Sequence, residues 1–458
     1  MALGALLILV LAAASFALGR RRALALAPAG GAKLRSLPGY YGWYAALWCL
    51  LPMLAVVVVW MSVAPSLLDG ATLRALPEEV KGATPPEIAL LLNDVRNLAS
   101  GNITTRPDDP NIVLAAERYA ELRKHGRLAT LALAGLLALA GSARALRRIQ
   151  PEFAARERVE RTVRVVLMAC ATLAILVTVG IVFSLIVETF RFFDRVTPGE
   201  FLFGLHWSPQ TALRADQVGS SGSFGAVPVF AGTLLITGIA MLVAVPVGLL
   251  SAIYMTFYAG SRVRSFAKPL LEVLAGVPTV VYGFFAAITV GPQLRALGGA
   301  LGLDVASESA LAAGLIMGIM IIPFVSSLSD DAITAVPQAM RDGSYGLGAT
   351  RSETIRQVIL PAALPGIVGA FLLAVSRAVG ETMIVVMAAG LAANLTANPL
   401  EAVTTVTVQI VTLLTGDQEF DSAKTLSAFA LGLVLFCVTL CLNLVALGVV
   451  RRFRERYE

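Results

Sequence analysis

The feature that most constrains this chain is a set of nine long apolar runs, each near or above 18 residues. A helix of about 20 apolar residues is what crosses roughly 30 Å of hydrocarbon. The composition agrees, because 57% of residues are hydrophobic and only 14% are charged. We therefore predict an all-α integral membrane protein with about nine transmembrane helices. The predicted spans are 2–19, 43–65, 128–146, 163–187, 228–258, 265–290, 309–328, 364–392 and 425–450.

The basic residues predict how these spans are oriented. Arg20, Arg21 and Arg22 follow the first apolar run instead of preceding it, which favours a retained helix over a signal peptide. With the N-terminus outside, the cytoplasmic loops carry 22 of the 36 Lys and Arg, including the tail RRFRER. The net charge of +6 is then explained by the basic residues of the cytoplasmic loops, and it implies no nucleic-acid partner.

A basic stretch at 147–164 separates three spans from six and predicts a domain boundary near 160. Residues 1–160 are expected to form an N-terminal extension, and 161–458 the main transmembrane domain. Within 66–127, two amphipathic patterns predict a helical hairpin outside the membrane. The apolar positions of these patterns are Ile88, Leu91, Leu92 and Val95, and then Ile112, Ala116 and Tyr119.

The sequence shows no motif for ATP binding and no pattern of metal-binding residues. It contains no G-x-x-x-x-G-K-[ST] phosphate loop. The four cysteines lie in predicted spans and the two histidines are far apart, so no metal site or cofactor is predicted. We predict a protein that is not an enzyme.

A polar interlude at 335–361 lies between two apolar runs and predicts two short helices. Pro337 stands where a helix would begin, and either Gly346 or Gly348 could take the left-handed conformation that ends one. The next helix should start at Thr350, which forms a capping-box pattern with Glu353.

Pro361 is then expected to stop this second helix before the eighth span. The spacing of the interlude resembles the EAA loop of ABC importer permeases, in which E-A-A, three residues, G, nine residues and I-x-L-P follow one another. Asp-Gly-Ser stands in place of Glu-Ala-Ala, and valine replaces the isoleucine. The matching positions are Asp342, Gly343, Ser344, Gly348, Leu360 and Pro361.

Further segments narrow the resemblance to the PstC-type permeases of phosphate-specific ABC importers. These segments are "GSFGAVPVFAGTLLITGIAMLVAVPVGLLSAIYM", "LLEVLAGVPTVVYG" and "SRAVGETM", and the resemblance covers about 165 to 455. It implies a six-helix type I importer core in the bacterial inner membrane, with the EAA-like loop coupling to an ATPase. The implied partners are a PstA-like second permease, PstB-like ATPases and a PstS-like periplasmic phosphate-binding protein. Residues 1–160 resemble the extension of some longer family members.

Two charges inside the eighth predicted span supply a candidate substrate path. Arg377 is costly in a bilayer, and Glu381 follows four residues later, within ion-pair reach on one helix face. One interpretation is a structural salt bridge. The other is phosphate contact, because a guanidinium offers planar, bidentate donors to an oxyanion. Thr382 and, by resemblance, Thr279 and Tyr282 would add neutral donors.

Three alternatives stay open from the sequence. A permease for sulfate or molybdate would share these features, because one arginine does not distinguish tetrahedral anions. A proton-coupled secondary transporter could use Glu381, although it would need no EAA-like loop. A membrane sensor of phosphate signalling would transport nothing.

Overall fold

The computed structural model describes residues 2–26, 34–75, 85–102, 109–211, 221–415 and 421–454. Most of these residues are helical, as predicted, and they divide into two compact units, Met1–Ile175 and Leu176–Glu458. The division falls within one long helix, and the boundary predicted near 160 stays a prediction. The last residues of the basic tail lie outside the described residues.

Among the described residues the first unit contains five helices, the last of which continues into the second. They are α1 (Ala2–Ala25), α2 (Pro38–Ala75), α3 (Pro85–Ala99), α4 (Pro110–Arg148) and α5 (Ala155–Phe193). Helix α2 packs along α1 and α4. The hydroxyls of Ser15 and Ser142 lie 2.8 Å apart and join α1 to α4.

The predicted outer hairpin takes a different form from the one expected. Its second amphipathic pattern is the beginning of α4, which continues without a break into the predicted third span. Asp109 caps this helix by accepting a hydrogen bond from the backbone N–H of Asn111. The apolar faces themselves are confirmed, because Val95, Ile112 and Tyr119 are buried together.

The second unit contains twelve further helices and one hairpin within the described residues. The first part comprises α6 (Pro198–Phe203), β1 (Trp207–Thr211), β2 (Ser221–Phe224), α7 (Val227–Ile253), α8 (Ser261–Gly276), α9 (Thr279–Phe285) and α10 (Gly291–Ala300). The second part comprises α11 (Ala310–Thr334), α12 (Gln338–Gly346), α13 (Arg351–Thr354), α14 (Leu360–Val379), α15 (Met383–Ala388), α16 (Val406–Leu414) and α17 (Ala423–Arg454). Single π-helical turns follow α7, α9 and α13 at Tyr254–Tyr258, Ala286–Val290 and Ile355–Ile359.

The antiparallel pair β1–β2 is the exception to the all-α prediction. Trp207 lies opposite Phe224 in the ladder, and the two rings meet edge to face at 6.3 Å. The Trp207 indole N–H donates to the side-chain oxygen of Gln409 at 2.9 Å, which fixes the hairpin on α16. Alternation over five residues beside a long apolar run is too weak a signal to predict this hairpin.

Helices α7 and α11 form the centre of the second unit. Their contact depends on small residues: a Cβ on Gly318 would lie 2.9 Å from the carbonyl oxygen of Ala240. Close backbone approach of this kind is typical of packed membrane helices. Ile236, Met317 and Ile321 fill the core beside it.

Eight helical stretches among the described residues, counting helices joined through a π-turn as one, are long and apolar enough to cross a membrane. Helix α1 is not among them, so a ninth span stays a prediction. The bounds predicted for the sixth span, 265–290, are wrong. The chain breaks at Val277 and Pro278, both extended, and the candidate span is Thr279–Ala300. Pro278 favours an extended conformation in the residue before it, which ends α8. Helix α8 itself is amphipathic and carries charged residues, so it is not part of the apolar span.

The eighth span also differs from its prediction of 364–392. The candidate span is Arg351–Val379, and the helix ends at Gly380. Pro361 does not stop the preceding helix, which continues through it. A π-turn comes immediately before Pro361, with the Leu360 N–H bonded to the carbonyl of Ile355, and this widened turn precedes the proline that would strain a regular helix.

Candidate functional site

The polar loop after α11 has the helix–turn–helix geometry that its sequence predicts. Helix α12 starts after Pro337, and Gly348 adopts the left-handed conformation with φ of 85°. The Thr350 capping box is present: its hydroxyl accepts from the N–H of Glu353, and the Glu353 carboxylate accepts from the N–H of Thr350. Only glycine takes this φ without strain, so the turn depends on Gly348.

Buried contacts attach this loop to the ends of the long helices. Ile333, Ile355 and Ile359 pack in one apolar cluster. The hydroxyls of Ser344 and Thr354 lie 2.9 Å apart and join α12 to α13. The loop is therefore fixed to the helical unit by buried contacts.

The opposite side of the projection is exposed. Asp342 and Gly343 lie on this side, and the Asp342 carboxylate accepts a hydrogen bond from Gln338 at 3.1 Å. Leu347 is 91% exposed, which is unusual for a leucine on a structured turn. Leu360 is half-buried below the loop, and Pro361 is exposed where the long helix begins.

Arg377 lies two residues before the end of α14 and lines a cavity of about 280 Å³. Its guanidinium carbon lies 5.6 Å from the centre of the Phe324 ring on α11, which is cation–π distance. The arginine is exposed in the isolated chain. A charge on a membrane-spanning helix faces a cavity or a protein partner, because lipid would not solvate it.

The predicted ion pair between Arg377 and Glu381 is absent from the described residues. Helix α14 ends between them, so the two side chains no longer share a helix face. The Glu381 carboxylate instead accepts from the backbone N–H groups of Met383 and Ile384, at 3.0 and 3.3 Å. It therefore stabilises the start of α15.

The three predicted neutral donors lie away from the cavity that Arg377 lines. The hydroxyl of Tyr282 donates to the carbonyl of Leu274 at 2.8 Å, across the break between α8 and α9. Thr279 is the first residue of α9 and is half-buried. Thr382 makes a long contact of 3.4 Å with the carbonyl of Gly380. The cavity with Arg377 is lined by none of these three.

Four charged residues that the sequence analysis did not assign to the path line this cavity with Arg377. They are Arg264, Lys268 and Glu272 on α8, and Asp330 on α11. Arg264 and Lys268 counted only as loop charges, although their spacing of four residues places them on one helix face. The sequence holds no signal that Asp330 would be their partner.

Comparisons with known proteins place the chain in a family. Residues 244–457 match the family model described as "Binding-protein-dependent transport system inner membrane component", and residues 5–177 match "Phosphate ATP-binding cassette transporter". The probable ABC transporter permease protein YqgH of Bacillus subtilis is 34% identical over 60% of this chain and 86% of the relative. The phosphate transport system permease protein PstC of Haemophilus influenzae is 31% identical over 59% and 86%.

The chain belongs to the PstC family of ABC transporter permeases. PstC 1 of Mycobacterium tuberculosis is a further member, 32% identical over 56% of this chain and 83% of its own length. The recognition made from the polar loop and the apolar segments is therefore confirmed, as is the all-α membrane fold. The extension has a family model of its own, which ends close to the division between the two units.

Two solved structures match the chain at low identity. A bacterial alginate transporter chain is similar at a TM-score of 0.46 and 17% identity, over 65% of this chain and 98% of its own. A chain of the MetNI methionine transporter is similar at a TM-score of 0.37 and 17% identity, over 50% and 94%.

Proposed function

We propose that this chain is the membrane-spanning permease subunit of an ATP-driven importer of inorganic phosphate in the bacterial plasma membrane. The observation that carries the proposal is Arg377, a cation near the end of a membrane-spanning helix of a PstC-family unit, which lines a cavity of about 280 Å³. Such a volume is at the small end of ligand pockets and suits a small ion. Relatives named as phosphate permeases support phosphate as the anion.

The guanidinium is suited to this role because it stays charged and presents donors in a fixed plane. A phosphate that leaves water for a low-dielectric path needs its charge compensated, and a charge-assisted hydrogen bond provides this better than a neutral donor. The cation–π contact with Phe324 helps to hold the guanidinium at the cavity, where its N–H donors can meet an anion.

Energy would reach the path from a separate subunit through the fixed loop of α12 and α13. We propose that Asp342, Gly343, Ser344 and Gly348 lie at the contact with a PstB-like ATPase, and that Leu360 and Pro361 carry the movement into α14. The exposed Leu347 supports this surface as a docking site. A PstA-like permease would cover Arg377, and a PstS-like protein would deliver phosphate from the periplasm.

The test is uptake of [³²P]phosphate by sealed proteoliposomes that contain this chain with its partner subunits and binding protein. Uptake should require ATP and should resist competition by excess sulfate or molybdate. Uptake without ATP would indicate a secondary transporter, and preference for another anion would reassign the substrate. No uptake of any of these anions by an assembled complex would overturn the proposal.

A further inference from the structure

A second group of cations lies in the same cavity, on the side nearer the α12–α13 loop. The Asp330 carboxylate, with its side chain 6% exposed, accepts from the Lys268 ammonium at 3.0 Å and from the Thr256 hydroxyl at 2.6 Å. An Arg264 guanidinium nitrogen lies 3.5 Å from the same carboxylate. One buried carboxylate thus serves two cations on α8.

Both cations have hydrogen-bond donors beyond those that bind Asp330. The structure gives the Arg264 and Lys268 side chains one hydrogen bond each within the described residues, and that of Arg264 is long. A guanidinium has five N–H donors and an ammonium three. The two side chains are 39% and 41% exposed and line the cavity, so their other donors are accessible to a ligand there.

The balance of charge also favours an anion. The described lining of the cavity holds three cations, Arg264, Lys268 and Arg377, against the carboxylates of Glu272 and Asp330, which gives a formal net charge of +1. Ser326 lies one helical turn before Asp330 on α11 and lines the same cavity. Its hydroxyl is buried and has no hydrogen-bond partner among the described residues. An oxyanion would supply an acceptor for this hydroxyl and for the remaining donors of both cations.

We propose that Arg264 and Lys268 form a second oxyanion site, to which phosphate passes from Arg377 before release, and that Asp330 is an internal competitor for the same donors. The inference rests on the proposed function. Arg377 contacts Phe324, and Asp330 is six residues further along α11, so the two sites are about 9 Å apart along the helix. Conduction needs each site to bind weakly enough to release its ion, and a competing carboxylate achieves this.

This role predicts changes of opposite sign in phosphate affinity. Lys268→Gln removes a charged donor and should weaken binding of inorganic phosphate about tenfold, which is the usual scale for one charge-assisted hydrogen bond. Asp330→Asn removes the competitor and should tighten binding several-fold, while maximal uptake slows because release slows. If the cluster only fastens α8 to α11, both changes would break the same contact and act in the same direction.

The measurement is equilibrium dialysis of [³²P]phosphate against the purified, nucleotide-free complex, alongside ATP-driven uptake by the same preparations. Arg262→Gln is the matched control, because it removes one charge from an exposed position of α8 that does not line the cavity. Its affinity should equal that of the wild type. Lys268→Arg should retain most of the affinity.

Opposite shifts from Lys268→Gln and Asp330→Asn, with an unchanged Arg262→Gln, would support the second site. Shifts in the same direction, or none, in a wild-type complex that imports phosphate would overturn it while the proposed function stands. A wild-type complex that neither binds nor imports phosphate would refute the proposed function and this inference together.

Discussion

Arg377 and Glu381 are four residues apart in the sequence, yet the end of α14 separates them, and Glu381 holds the N–H groups that begin α15. An arginine without a carboxylate partner on its own helix is available to an external anion. The relationship thus favours the substrate-path interpretation of Arg377 over the structural salt bridge. It also assigns Glu381 a structural task that is separate from charge pairing.

The exchanged pair tests this separation. Arg377→Glu combined with Glu381→Arg should not restore uptake, because the two side chains do not meet. Glu381→Gln should be mild, since its amide oxygen can still accept from the backbone, whereas Glu381→Ala should cost about 0.5 to 2 kcal/mol of stability. Thermal unfolding of the assembled complex and phosphate uptake measure both effects, and rescue by the exchanged pair would contradict this account.

Gly348→Val should uncouple the loop from the ATPase. At φ of 85° a β-branched residue costs about 1 to 3 kcal/mol, so the turn would rearrange and misorient α13. Phosphate uptake should fall while the chain still inserts. Gly346→Val is the matched control, because Gly346 ends α12 without a positive φ and has the same open surroundings.

Equal uptake by the two glycine variants, with normal binding of the ATPase, would argue against the coupling role of this loop. Co-purification of the ATPase separates a docking defect from a folding defect, and membrane abundance controls for insertion.

Cysteine labelling tests the predicted orientation. Cysteines at positions 30, 155, 262 and 345 are predicted to be cytoplasmic, but Ala155 is buried and residue 30 lies outside the described residues. Exposed neighbours serve better. In a background without native cysteines, Leu37→Cys, Arg156→Cys, Arg262→Cys and Tyr345→Cys should react only with reagents that enter the cytoplasm, while Leu301→Cys reacts from outside. Outside labelling of any of the first four would contradict the topology.

Tyr282→Phe distinguishes a structural hydroxyl from one in the substrate path. The hydroxyl bridges the break before α9, so its removal should cost about 0.5 to 1.5 kcal/mol of stability and leave phosphate affinity unchanged. Thermal unfolding and [³²P]phosphate binding of the assembled complex report the two quantities. A loss of affinity without a loss of stability would return Tyr282 to the path.

The elements that local chemistry determines were predictable from the sequence. The capping box at Thr350 and the apolar runs are each specified by residues close in sequence, and the left-handed glycine was narrowed to Gly346 or Gly348, of which the structure shows Gly348. Helix ends that lie inside apolar runs could not be predicted from the sequence. The residues around Pro278 and Gly380 have the hydropathy of a membrane span, although the helix is interrupted there. Hydropathy reports the burial of side chains and not the continuity of a helix.

The charged residues that line the cavity could not be predicted from the sequence, for a different reason. Lys268 and Asp330 are 62 residues apart and meet only because α8 returns along α11. Arg377 could be found because a lone charge in an apolar run is conspicuous. Partners that lie on other helices depend on tertiary packing, which one sequence without its fold does not specify.

The most direct test of the central claim is ATP-driven phosphate uptake by the assembled Arg377→Gln complex. Glutamine keeps much of the length and some hydrogen bonding but loses the charge, so uptake should fall about tenfold or more with normal abundance and subunit co-purification. Arg377→Lys should retain partial uptake, because it keeps the charge without the planar fork. Normal phosphate uptake by an assembled Arg377→Gln complex would contradict the claim that phosphate passes this arginine.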